Sequence, residues 1–454
     1  MQVNTISRLG RTGTESYQLV LARWFAIVTL WLVPISTAGV NLASGAFALL
    51  ALTSPEVWRR APALRMRSPA GFAALVLFAA LTVSLAYSSP GVHEAFDFLM
   101  KYRKLLFIPL LVLVFGDDNS SAWARAAVWG LLATLVLTMV LTYTNYFGWT
   151  AVGPMHGTDA MTRPWVFKDH ISGGLMMAFL VCLSFSLAKA TKNAGGKALY
   201  LVALAAMVNV LFVLQGRTGQ VVAIAYIAIF LVVHATRFRR YDKRTRWIVA
   251  LGALTVCACV AAFVLYSKDS RLADTAQEVT QFETQNKNTS MGVRLEFYRR
   301  SIELMAHRPI AGYGVGSVRS QFERLASTQT GARAAMAGNP HNEFFLMGVQ
   351  LGLIGVALFV WFLIAVAREC QRLVEPSRDV ANGYLFAFVF GCLANSLLLN
   401  FTEGNLFIFL IGILISAAPR CERVGAEGRC FTSTQCHTAP DSNSTPPATK
   451  PASR

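Results

Sequence analysis

Phe344–Val366 reads FFLMGVQLGLIGVALFVWFLIAV, an apolar run without a charged side chain. A helix needs about 20 such residues to span hydrocarbon, where free backbone groups find no partner. Comparable blocks recur at Phe72–Ala86, Ala126–Leu141, Ala198–Leu214, Val221–Val233 and Trp247–Leu265. They are continuous, unlike the alternating runs of half-buried strands in a soluble sheet protein. Of the 454 residues, 54% are hydrophobic and only 14% charged, too little polar surface for a soluble domain of this length.

Directly before this run stands Asn339-Pro340-His341-Asn342-Glu343. Asn339 suits an N-cap and Pro340 the first helical position, which predicts His341 in the first turn of the helix. A helix N-terminus disfavours positive charge, so His341 is expected to stay neutral and able to accept a proton. Its plainer role is that of an interfacial histidine capping the bundle. The preceding segment, Ser267–Pro340, is about seventy residues long, and loops of that length without function are uncommon. Within it Met291–His307 has a helical pattern that puts Val293, Phe297, Ile302 and Met305 on one face, and Pro309 with Gly312-Tyr313-Gly314-Val315-Gly316 ends it.

Extended outward, the pattern describes an all-α polytopic membrane protein with about 12 transmembrane helices. They are expected near 19–36, 38–53, 69–87, 102–115, 122–147, 170–188, 198–214, 219–235, 247–266, 341–367, 381–400 and 404–418. Residues 1–266 then carry helices one to nine, 267–340 a large external loop, 341–418 the last helices, and 419–454 a disordered cytosolic tail rich in Ser, Thr, Pro and Gly. The first twenty residues are polar and lack a small-residue cleavage site, so the block Leu19–Ile35 is expected to remain as an anchor.

The net charge of +17 needs no nucleic acid to explain it. Arg59, Arg60, Arg65 and Arg67 fall in one loop, Lys189, Lys192 and Lys197 in another, Arg237–Arg246 in a third, and Arg368, Arg372 and Arg378 in a fourth. They alternate with loops poor in cations, which by the positive-inside bias places both termini in the cytosol. None of the eight cysteines lies in an outside loop, so no disulfide framework is expected. Cys421, Cys430, Cys436 and His437 are too irregularly spaced to suggest a zinc site.

The outside segments nevertheless hold cations. Lys268, Arg271, Lys287, Arg294, Arg299, Arg300, Arg308, Arg319, Arg324 and Arg333 lie in the long loop. Most are expected to pair with carboxylates or meet water, since long loops escape the charge bias. Arg217 is different: it sits in Gly216-Arg217-Thr218-Gly219, a tight connection between two apolar blocks. There an arginine either snorkels to headgroups or points at an anion, for which its planar, permanently charged fork is suited. Lys101, Arg103 and Lys104 form another basic group, Lys168 and His170 open the sixth helix, and Glu403 reads as a solvated turn residue. No Asp-x-Asp cluster lies in an outside loop, and neither a phosphate-cradling Lys-Ser/Thr loop nor a His-Glu-x-x-His pattern is present. No metal or other cofactor is expected, and side-chain cations would have to stabilise any developing charge.

Gly216-Arg217-Thr218-Gly219, Arg294 with the helix through His307-Arg308-Pro309, the Gly312–Gly316 run, Pro340-His341-Asn342-Glu343-Phe344 and Gly352-Leu353-Ile354-Gly355 occur in an order that resembles the lipopolysaccharide O-antigen ligase family of Gram-negative bacteria, within the O-antigen polymerase and ligase superfamily. The resemblance covers roughly Gly216–Val360. It implies a GT-C-type, inverting, metal-independent glycosyltransferase at the periplasmic face of the bacterial inner membrane, with a large periplasmic loop between helices nine and ten. The donor would be O-antigen on undecaprenyl diphosphate and the acceptor the terminal sugar of lipid A-core. Carried onto this sequence, Arg217 and Arg294 would bind the diphosphate and His341 would act at the acceptor. Lys101, Arg103, Lys168, His170, Tyr313, Asn339 and Asn342 are further candidates to contact diphosphate or acceptor. An O-antigen polymerase or a protein O-oligosaccharyltransferase would differ only in acceptor. A transporter or lipid flippase would be expected to show repeated halves and polar residues at depth, and a purely structural membrane component would need neither Arg217 nor His341.

Overall fold

The computed structural model describes residues 16–116, 121–155, 159–191, 193–214, 216–237, 290–326 and 338–420. The expected ninth helix and tail and residues 267–289 lie outside the described residues, and with them Lys268, Arg271, Lys287, Arg333 and the tail cysteines. In chain order the helices are α1 Tyr17–Leu32, α2 Thr37–Leu52, α3 Pro55–Arg60, α4 Leu64–Arg67, α5 Pro69–Val83, α6 Val92–Met100, α7 Phe107–Phe115 and α8 Ser121–Tyr146. Then follow α9 His170–Ala190, α10 Asn193–Val208, α11 Arg217–Arg237, α12 Ser290–His307, α13 Val318–Ala326, α14 Glu343–Cys370, α15 Ser377–Cys392 and α16 Phe401–Ala417. Among the described residues there is no strand, only an isolated bridge between Leu373 and Arg420. The protein is an all-helical, multi-pass membrane protein.

Five described helices are long and apolar enough to cross a membrane: Pro69–Tyr87, Ser121–Tyr146, His170–Ala190, Asn193–Val213 and Glu343–Cys370. The pair Thr37–Leu52 and Pro55–Arg67, bent by 69°, makes a sixth if it is one span. Several expected helices are shorter or broken. The fourth keeps only α7 as α-helix, after a 3-10 turn at Arg103–Leu106. The seventh ends in a π-helical turn at Asn209–Val213, and the eleventh stops at Cys392, leaving 393–400 irregular. The stretch between the expected third and fourth helices contains α6.

Packing centres on α16, in which nearly every side chain is buried. A helix that is apolar all round has to lie inside a bundle, not on its surface, and α16 touches α1, α7, α8, α14 and α15. At one end of the bundle Glu369 accepts from the Ser68 hydroxyl at 2.8 Å and the Ala70 amide at 2.7 Å, and meets Arg420 at 3.7 Å. Arg60 donates to the Leu113 carbonyl at 2.9 Å, and Lys189 faces Asp379 at 3.5 Å. The described basic segments around Arg60, Lys189 and Arg372 thus share this end. At the opposite end lie the start of α9, the turn into α11, Asn339–Glu343 and residues 393–400.

One feature of α14 organises the external segment. Gly352 leaves the helical region, with φ 64° and ψ −154°, a conformation open essentially to glycine alone. The break frees backbone groups that the Pro309–Gly316 loop then satisfies. Leu353 and Ile354 amides donate to the Pro309 and Ile310 carbonyls at 2.7 and 3.4 Å, while Val349 and Gln350 carbonyls accept from Tyr313 and Gly314 at 2.9 and 2.8 Å. The Gln350 side chain accepts from the Gly316 amide at 2.9 Å. On its other side the loop is held by the end of α5, where Ser84 accepts from the Val315 amide at 3.0 Å and Ser88 donates to the Val315 carbonyl at 2.6 Å.

This docked loop fixes α12. Phe297 and Leu304 are buried, whereas Ile302 is 56% exposed, so Ile302 is not on the buried face expected for it. Five residues after Phe297 it points roughly 140° away around the helix, and Leu304 takes the inward position. Burial also draws in a charged pair: Arg300 and Glu296 meet at 3.3 Å. The exposed Arg319–Glu323 pair at 2.9 Å is a second local pairing among the loop cations.

At Gly352 an added Cβ would lie 2.4 Å from the Ile310 carbonyl carbon. Gly352→Ala is therefore expected to lower stability by about 1–3 kcal/mol from backbone strain alone. The readouts are thermal unfolding in detergent and faster proteolysis within Pro309–Gly316; an unchanged melting temperature would show that the break is not required.

Candidate active site

Residues 393–400 form the irregular link between α15 and α16, and almost every segment at this end of the bundle bonds to it. From the α11 side, Asn395 donates to the Thr218 hydroxyl at 2.9 Å. From the α14 side, Ser396 donates to the Asn339 side-chain oxygen at 2.6 Å, and Asn342 donates to the Leu393 carbonyl at 2.8 Å. From α12, the Tyr298 hydroxyl lies 3.1 Å from the Leu393 carbonyl and 3.3 Å from the His341 carbonyl. Two buried charges hold the remainder. Glu343 accepts from the Leu398 and Leu399 amides at 2.9 and 3.2 Å, and Lys104 donates to the Leu399 and Asn400 carbonyls at 3.2 and 2.6 Å.

Arg217 opens α11 immediately after Gly216. Its turn lies hard against α9: a Cβ on Gly216 would come within 2.2 Å of the His170 carbonyl oxygen, and one on Gly219 within 2.4 Å of the Gly174 carbonyl carbon. The glycines therefore allow backbone-to-backbone contact, and the π-helical turn before them widens the approach. The adjacent Thr218 is the residue that Asn395 grips.

His341 is not in a helix. Its φ is +54°, in the left-handed region, and α14 begins at Glu343 with Asn342 as its N-cap. The expected capping by Asn339, with His341 in the first turn, is thus displaced. Asn342 accepts from the Phe344 and Phe345 amides at 2.9 and 3.1 Å, while Asn339 accepts from the His341 amide at 2.8 Å. At the Asn342 position one side-chain oxygen satisfies two of the orphan amides of α14. The His341 ring stacks near Phe297 of α12, with centroids 6.3 Å apart. Burial, and then the positive charge of Arg294, hold its pKa below the ordinary histidine value of 6.5. Desolvation and a guanidinium, and not a position inside the helix, thus favour the neutral imidazole.

The structure therefore links the sequence-derived groups to different degrees. Arg294 acts electrostatically on His341, and the Arg217 turn reaches the same locus through Thr218, Asn395, Ser396 and Asn339. Asn342 caps α14 and donates to the Leu393 carbonyl, while Asn339 accepts from the His341 amide and the Ser396 hydroxyl. Lys168 donates to Thr37 at 3.1 Å, and burial pushes its ammonium below the ordinary lysine range. His170 packs on Trp165 at 4.7 Å. Tyr313 is buried in the docked loop, with Arg308 over its ring at 4.9 Å. Lys101 and Arg103 line a separate cleft of about 300 Å³.

Glu403 departs from expectation. It lies within α16, is 2% exposed, and accepts from Ser172 at 2.6 Å, so it is no solvated turn residue. Sequence reasoning also passed over Glu343, Tyr298, Asn395 and Ser396. The available signal was Asn395, Ser396 and Asn400 inside an otherwise apolar run, since polar groups at such positions need dedicated partners.

A family model described as O-antigen ligase matches residues 202–360. Over that stretch the chain is similar to the O-antigen ligase family. That domain includes the Arg217 turn, Arg294, the docked glycine loop and His341, while Lys101–Lys104, Lys168, His170 and 393–400 lie outside the matched stretch. That match supports an O-antigen ligase or polymerase type of function. No curated protein matches the chain.

Replacing Arg294 with Met removes a charge that opposes imidazolium formation, so the His341 pKa should rise toward 6.5. Histidine-selective NMR titration in detergent, assigned with His341→Gln, measures this. A pKa that stays put or falls would separate Arg294 from His341.

Proposed function

We propose that the protein is an O-antigen ligase. It transfers O-antigen polysaccharide from undecaprenyl diphosphate to the terminal sugar of lipid A-core, at the periplasmic face of the bacterial inner membrane. The observation that carries this reading is the placement of a half-buried imidazole, held neutral beside Arg294, on the same hydrogen-bonded segment that anchors the Arg217 turn. The end of the bundle bearing these groups is opposite the end that gathers Arg60, Lys189 and Arg420, which supports an outward-facing site with cytosolic termini.

In this mechanism Arg217 and Arg294 bind the donor diphosphate. The glycosidic bond between the sugar's anomeric carbon and the phosphate oxygen breaks, and the departing undecaprenyl diphosphate keeps the electron pair. Guanidinium groups meet that growing negative charge with bidentate, charge-assisted hydrogen bonds, strongest where water is partly excluded. The acceptor hydroxyl attacks from the opposite face, inverting the anomeric centre, and its proton passes to an imidazole nitrogen of His341. Depression of the His341 pKa keeps the base unprotonated near neutral pH. The energy comes from the donor bond, so the step calls on neither ATP nor a metal. Lys168 and His170, beside the Arg217 turn, are further candidates to contact the donor.

Purified protein is to be offered lipid-linked O-antigen with lipid A-core, a second lipid-linked glycan or a pilin-like protein. Transfer to lipid A-core is expected, and transfer confined to either other acceptor would reassign the enzyme within its superfamily. Arg217→Ala and Arg294→Ala should each lower transfer by about 10²–10³-fold while the protein still inserts. His341→Ala should lower transfer by about 10²–10⁴-fold and leave donor binding largely intact. Lost donor binding in His341→Ala would make His341 a donor ligand and not the base.

A further inference from the structure

The cleft of about 300 Å³ lies between α2, the end of α6, the Arg103–Phe107 segment and the start of α16. Its mouth carries Lys101 and Arg103, both exposed. Lys101 sits over the face of Phe98 at 4.8 Å, and Arg103 reaches across to Asn41 at 3.3 Å. The carboxylate lining it, Asp97, faces His93 at 3.7 Å. Phe107, Leu399 and Phe401, each half-buried, supply apolar wall beside the buried side chains of Ser44, Lys104 and Asn405. Beside the mouth, α2 presents Leu42 and Leu49, 77% and 65% exposed, to its surroundings.

Exposed cations, apolar wall and a flanking greasy helix face suit a phosphate headgroup with acyl chains, and not a free sugar. Lys104 lines the same cleft but is buried, and its ammonium is spent on the Leu399 and Asn400 carbonyls. The opposite edge of that peptide segment is held by Glu343, two residues from His341. The cleft wall and the His341 segment are therefore one hydrogen-bonded unit.

We propose that this cleft binds the phosphorylated lipid moiety of the acceptor, separately from the donor diphosphate. The assignment rests on the ligase reading above and deepens it. Lys101 and Arg103 contact the acceptor's phosphate, its acyl chains lie along α2, and the shared 398–401 segment sets the anchored acceptor's glycan toward His341.

The test uses full-length protein in phosphatidylcholine nanodiscs and measures binding without transfer. Ligands are bisphosphorylated lipid A, the same lipid after phosphatase treatment, undecaprenyl phosphate and inorganic phosphate. Removing the lipid phosphates, or substituting Lys101→Gln with Arg103→Gln, should weaken lipid A binding about tenfold, the loss expected of one charge-assisted contact. Asn41→Trp, which narrows the mouth without removing a cation, should do the same. Undecaprenyl phosphate binding should change less than about twofold, within the range of a lost exposed ion pair. Equal loss of undecaprenyl phosphate would make the cleft a donor site and overturn the proposal. So would tight binding of dephosphorylated lipid A, or displacement of the lipid by millimolar inorganic phosphate. Because the readout is binding, failure of transfer to every acceptor would refute the ligase reading and leave this result standing.

Discussion

The peptide segment 398–400 is gripped from both edges by buried charge. Glu343 takes the Leu398 and Leu399 amides, and Lys104 takes the Leu399 and Asn400 carbonyls. An irregular strand of backbone inside a membrane bundle would otherwise leave polar groups without partners, at a cost of several kcal/mol each. Here a carboxylate and an ammonium supply the partners and offset part of each other's desolvation. With that stretch held, Asn395 and Ser396 stand where they reach Thr218 and Asn339. The locations of the Arg217 turn and of His341 follow from this anchoring.

The break at Gly352 plays a similar part for the external segment. A helix interrupted in a bundle exposes amides and carbonyls, and the Pro309–Gly316 loop meets them with main-chain bonds of its own. The loop is thereby inlaid between α5 and α14 and does not merely cover them. Because α12 leads directly into this loop, docking sets where Arg294 and Tyr298 lie relative to His341. Chemistry and architecture are coupled through backbone, which tolerates less adjustment than side-chain packing does.

Several local signals in the sequence agree with the structure because they depend only on nearby residues. Asp169 caps α9, accepting from the Ile171 and Ser172 amides at 2.9 and 2.8 Å. The α12 pattern ends where Pro309 and the glycine run begin. The tight Gly216–Gly219 turn is tight because α9 leaves no room for a Cβ. One local signal misled: the sequence points to Asn339 as the N-cap, but Asn342 takes that place while Asn339 turns to the His341 amide and Ser396.

The sequence by itself determined the membrane class, the helical secondary structure of the described residues, the basic end of the bundle and the residue types capable of meeting an anion. Composition and periodicity suffice for these, since bilayer and helix impose them residue by residue. Only the tertiary structure decided that Glu403, Glu343 and Lys104 are buried, that 393–400 is irregular, and that α14 breaks at Gly352. Each of these depends on partners far away in the chain, such as Lys104 with Asn400 or Ser172 with Glu403. A polar residue in an apolar run announces that it needs a partner, but the fold alone supplies which one.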